Sequence, residues 1–216
     1  MAPDPAPIVV VAAGRPGLGA SVVAALVALA AMTEGEQVLW IEADAPEGGP
    51  DTLAARVANA DAYELVVVDA GARADAAAAA CALEGERTLL LVVGDERADL
   101  AASYAMAKAV VMAAERDANR LPPTLAVVAN RLDAVSARWA AESLADACRR
   151  FLGRPMLVAG HLPDDPTLAA AIAAGMPIAD AAHGSPASDA AAAVRRRLRA
   201  PSDASAPPSL LPRAGQ

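Results

Sequence analysis

A doubly wound α/β domain, with a mostly parallel sheet covered by helices on both faces, is the fold class this sequence predicts. Three observations lead there. Short runs such as Ile8–Val11 and Leu65–Val68 are apolar at every position rather than at alternate ones, as strands buried on both faces are. Longer alanine-rich stretches of helical length separate these runs. The first run also opens directly into a glycine-rich loop and then into a helical stretch.

In chain order, the predicted strands are Ile8–Val11, Gln37–Ile41, Leu65–Val68, Thr88–Val93, Leu125–Ala129 and Met156–Ala159. Helices are predicted at Ser21–Met32, within Asp51–Asn59, and at Asp75–Leu83, Ala98–Arg116, Val135–Phe151, Asp165–Ala174 and Ala187–Arg199. Residues 8–199 thus form one domain, flanked by residues 1–7 and a Pro/Ser/Ala-rich tail, 200–216, both expected to be disordered.

Bulk properties narrow the function. A chain of 216 residues is long enough to bury about 70–75% of its unfolded surface without staples. Aromatics make up only 2%, so Ala, Val and Leu must fill the core and few rings are left for stacking bases. The net charge of −8 argues against direct nucleic-acid binding, which needs a basic face. Cys81 and Cys148 have no metal-ligand or CxxC spacing and read as buried thiols. Met1–Pro7 lacks a basic n-region, so it does not read as a secretory signal. Val22–Met32 is too short to span a bilayer, which leaves a cytoplasmic location as the expectation.

The segment Gly14-Arg15-Pro16-Gly17-Leu18-Gly19-Ala20-Ser21 follows the first strand and precedes a helix. This order suits a phosphate cradle: glycines let backbone N–H groups turn inward, and the helix N-terminus adds partial positive charge. A complete loop reads GxxxxGK[ST]. Here Ala20 stands at the lysine position and Ser21 keeps the hydroxyl that would face Mg²⁺. Polar residues also gather where other strands end: Glu42 and Asp44, Asp69, Asn130 and Arg131, and the run His161-Leu162-Pro163-Asp164-Asp165-Pro166. In a doubly wound sheet these carboxyl ends are where ligands bind.

Taken together these residues resemble the MinD/ParA-type P-loop ATPases with a deviant Walker A loop, and most of all the FlhG (FleN) branch, which controls flagellar number or placement. The loop matches Gly14 to Ser21. The family's Asp-x-Asp and Asp-x-Gly strand ends match Glu42/Asp44 and Asp69/Gly71. The branch-level match is Gly160 to Pro166, followed by Met176-Pro177-Ile178 and Ser185-Pro186-Ala187-Ser188. The resemblance spans Ile8–Arg199. It implies a nucleotide site made of Gly14, Arg15, Gly17, Leu18, Gly19, Ala20, Ser21, Asn130 (as the adenine reader), Arg131, Pro163 and Asp164. It also implies Mg²⁺ contacts from Ser21, Glu42 and Asp69, with Asp44 as a vestigial catalytic residue orienting water.

Three departures from the family pattern bear on activity. Ala20 removes the loop lysine, and Arg15 replaces the signature lysine that would reach a dimer partner's nucleotide. Pro16 removes one N–H donor. The segment between Asp44 and Leu65 is short for the family. Losing one charge-assisted hydrogen bond weakens affinity roughly 10- to 150-fold, and hydrolysis should suffer more than binding. The chain is therefore expected to be a pseudo-ATPase that either binds ATP and Mg²⁺ weakly or carries no nucleotide, with ATP-driven homodimerisation weak or absent. Two alternatives stay open: an active ATPase in which Arg15 substitutes for the lysine, and a ParA-like scaffold positioning cell-pole or chromosomal components. Partners implied by the resemblance are flagellar regulatory or assembly proteins.

The remaining singular residues read as structural. Trp40 and Trp139 are expected in core or half-buried packing, His161 in a loop, and His183 in an exposed turn. Residues 187–199 form an amphipathic helix ending in Arg195-Arg196-Arg197-Leu198-Arg199. Its alanine-rich face favours docking on the domain and would support only weak contact with the inner-membrane surface or cell pole.

Overall fold

The computed structural model describes residues 5–43, 50–57, 62–117 and 121–200. Six strands form one sheet: β1 (Ile8–Ala13), β2 (Val38–Glu42), β3 (Leu65–Gly71), β4 (Arg87–Val93), β5 (Thr124–Asn130) and β6 (Met156–Leu162). Their order is β2-β3-β1-β4-β5-β6 and every pairing is parallel. Helices α1 (Ala20–Thr33), α2 (Pro50–Val57), α3 (Ala74–Ala80), α4 (Arg97–Glu115) and α5 (Ala134–Leu152) connect the strands. Beyond β6 come α6 (Pro166–Ala173), α7 (Ile178–Ala181) and α8 (Pro186–Arg199). The expected fold class is the observed one, with α7 as an addition. Four residues are too few to leave a helical period in the sequence.

Successive strand residues point to opposite faces, and the two cores follow that alternation. Ile8, Val10 and Ala12 of β1 face one core with α3, α4 and α5, whereas Val9, Val11 and Ala13 face the other with α1 and α8. Helix α3 packs through Ala76, Ala77 and Ala80, all buried. Small side chains bring helix and sheet close, which is how a chain so poor in aromatics fills its interior. The terminal helix α8 is docked: Ala187, Ala191, Val194 and Arg195 are buried against α1 and β6. Its apolar face is therefore core.

At the chain start, the Pro7 carbonyl already accepts from the Val66 amide at 3.0 Å, and Ala6 packs on the core. Both cysteines are buried, and desolvation pushes the Cys81 thiol up to about 12 and the Cys148 thiol up to about 11. They are thiols, not thiolates, at neutral pH. His161 lies within β6 rather than in a loop, since the strand runs on to Leu162. Trp40 is half-buried as expected, whereas Trp139 is 50% exposed.

Candidate phosphate-loop site

Strand β1 is central, so the loop that follows it emerges in the middle of the sheet's carboxyl edge. There the loop lies flush against α4. A Cβ on Gly14 would sit 2.2 Å from the Ala102 carbonyl carbon and the Ser103 nitrogen, so only glycine fits. Gly17 and Gly19 have φ of 88° and 86°, a region L side chains rarely adopt. Gly19 is the N-cap of α1 and offers no side-chain cap. The first-turn amides of α1 are thus left for an anion or solvent, with the helix dipole behind them.

The charged groups are arranged less favourably for phosphate. Ala20 is buried among the α1 core residues, so no cation occupies the position where such loops carry lysine. The Arg15 guanidinium turns to the first turn of α4. Its Nε donates to the buried Asp99 carboxylate, and its NH2 donates to Glu96 at 2.8 Å. The hydrogen bond it donates to Asp99 raises the Arg15 pKa further, so the guanidinium stays charged while facing two carboxylates. Asp99 fits there because the facing residue is Gly94: a Cβ on Gly94 would meet the Asp99 Oδ2 at 2.2 Å.

Residues at the end of β5 close on the same loop. The Asn130 side-chain amide donates to the Leu18 carbonyl at 2.8 Å and presses against Gly19, whose Cβ would come within 2.5 Å of it. Arg131 donates to the Gly17 carbonyl. Its φ is +59°, the one positive value at a non-glycine among the described residues, a conformation that costs about 1–2 kcal/mol. The Arg131 amide donates to the Leu162 carbonyl at 2.9 Å, which helps hold it there.

Glu42 and Asp69 are register partners at the ends of β2 and β3. Asp69 is buried, and its Oδ1 accepts from the Gly71 amide at 2.9 Å. Val11 is the register partner of Asp69 on β1, and the β1–β3 register shifts immediately after this pair. Ser21 is exposed on the first turn of α1. Asp44 lies outside the described residues. Among the described residues no cluster of three or more His, Cys, Asp or Glu could hold a metal, so a magnesium ion would depend on Ser21, nearby carboxylates, water and nucleotide oxygens. Among the described residues, Arg131 is the cation whose side chain bonds the loop backbone, at the Gly17 carbonyl.

Beyond β6, two residues of the branch-level segments build helix caps. Asp165 N-caps α6, accepting from the Leu168 amide at 3.0 Å, and accepts from the Ser185 hydroxyl at 2.7 Å. Ser185 in turn N-caps α8, accepting from the Ser188 amide at 3.3 Å. Pro163 and Asp164 precede this double cap in the β6–α6 connection.

Comparison with solved structures fits this arrangement. The fold is that of the MinD and ParA ATPases. MinD from Aquifex aeolicus superposes with a TM-score of 0.63 at 18% identity, over 89% of this chain and 96% of that one. A ParA family ATPase from Chlorobium tepidum gives 0.62 at 15%, over 88% and 98%. MinD from Pyrococcus horikoshii complexed with Mg-ADP gives 0.62 at 16%, over 90% and 96%. No family model matches the sequence, and no curated protein matches it.

Sequence reasoning missed Asp99 and Glu96. A signal was present: Gly94-Asp95-Glu96-Arg97-Ala98-Asp99 follows β4, the strand beside β1, and sets three acids at another strand's carboxyl end.

Proposed function

We propose that this protein is a regulator of the MinD/ParA type that acts through protein partners, with weak or absent ATP hydrolysis. One observation carries the reading: Arg15 is bound within its own protomer to Asp99 and Glu96, while Ala20 is buried where the lysine would be. Phosphoryl transfer runs on positioned positive charge, and these two positions no longer supply it. The uncapped α1 terminus and the Gly17–Gly19 arch still support binding of a phosphate chain. Bound nucleotide would then act as a conformational ligand rather than a substrate. Aquifex aeolicus MinD is known in complex with MinC, which supports a partner-directed role on this fold. The resemblance of Gly160–Ser188 to the FlhG branch supports control of flagellar number or placement.

The test is equilibrium binding of a fluorescent ATP analogue with Mg²⁺, beside phosphate release and sedimentation with and without Mg-ATP. Expected are saturable binding competed by ATP, turnover at background, and no ATP-driven dimer. Sustained turnover together with a Mg-ATP-dependent dimer would overturn the proposal. For the flagellar role, loss of the gene should change flagellar number or position; unaltered flagella would remove that part.

A further inference from the structure

The cations around the loop are not equivalent. Arg15 faces two carboxylates, Asp99 and Glu96, so that corner carries an excess of negative charge. Arg131 is exposed, has no acidic partner among the described residues, and its guanidinium donates to a neutral backbone carbonyl, that of Gly17. A guanidinium has five N–H donors in a planar fork that matches phosphate oxygens. An anion is a stronger partner for it than a carbonyl. Arg131 is also held in a left-handed conformation, with φ of +59°. Such strain collects at functional positions.

We infer that Arg131, rather than Arg15, supplies the positive charge that Ala20 removes from the loop, by turning from the Gly17 carbonyl to the phosphates of a bound nucleotide. Asn130, bonded to Leu18, is the positioning residue that keeps the loop within its reach. This assignment rests on the nucleotide-binding reading above.

The experiment compares wild type, R131G and R131K for binding of Mg-ATP, Mg-ADP and adenosine, by competition against the fluorescent analogue. Glycine suits the φ of +59°, so R131G removes the guanidinium while easing the backbone, and a thermal melt checks folding. R131G should weaken Mg-ATP about 10- to 100-fold and leave adenosine unchanged, with R131K recovering part of the loss. Adding A20K to R131G should restore ATP affinity, because the charge then comes from the usual position. Unchanged or tighter ATP binding in R131G, or equal losses for adenosine and ATP, would overturn the role of Arg131 while leaving nucleotide binding standing. If wild type binds none of the three, the nucleotide reading fails and this inference with it.

Discussion

Helix α1 and helices α6 and α8 begin in opposite ways. Asp165 and Ser185 place side-chain oxygens on the first-turn amides of α6 and α8, and they also bond to each other. Helix α1 begins at a left-handed glycine with no side-chain cap. A capped terminus has its amides satisfied from within the chain, whereas an uncapped one following a glycine arch can take an anion. Both regions carry polar patterns in the sequence, but the first-turn amides are capped from within the chain only in the second. The second builds architecture, and its Arg195 extends that role through a buried ion pair with Glu36 at 2.5 Å.

The contrast can be broken at several points. Gly14→Val drives a side chain into the α4 backbone and should destabilise the fold by about 3 kcal/mol or more. A denaturant melt near the wild-type midpoint would show that loop and α4 are not locked together. Next, Glu36→Ala leaves the Arg195 guanidinium, whose side chain is 6% exposed, without its carboxylate. A loss of about 3 kcal/mol is expected, with much of it recovered in the double variant with Arg195→Met.

Arg15→Ala isolates Asp99, whose side chain is 4% exposed, but Arg15 itself is 44% exposed. Solvent screening keeps the stability loss well below that expected for the buried Glu36–Arg195 pair. ATP affinity should fall less than about threefold, far below one charge-assisted bond. A larger drop would return Arg15 to the phosphate site.

Asp165→Ala should cost about 1 kcal/mol at neutral pH. The Leu168 amide, then the Ser185 hydroxyl, hold the Asp165 carboxyl below its ordinary value. Its folded pKa is therefore the lower one, and its contribution is present above the unfolded value and lost as pH falls through the folded value. The gap between wild type and variant should narrow on acidification below about pH 4; a gap constant to pH 2 would contradict a cap made by the charged carboxylate. The smallest effect is expected at the exposed Arg138–Glu142 pair of α5, where Arg138→Ala should change stability by less than about 0.5 kcal/mol.

Strand and helix order, the parallel sheet and the loop's place after β1 were all legible in the sequence. They arise from local patterns: uninterrupted apolar runs, alanine-rich helical stretches, and glycines where φ must be positive. The identity of Ala20 was equally plain and already implied a loop without its cation. What the sequence could not show was how the loop's neighbours divide the charge. Arg15 meets Asp99 across 84 residues, Asn130 meets Leu18 across 112, and Arg131 meets Gly17 across 114. Those meetings depend on strand order, which puts β4 beside β1 and β5 next to β4. A charge's role is set by the groups facing it, and facing groups are chosen by tertiary packing. The sequence by itself determined the fold class and the missing lysine; the tertiary structure decided that Arg15 is paired within the protomer and that Arg131 reaches the loop.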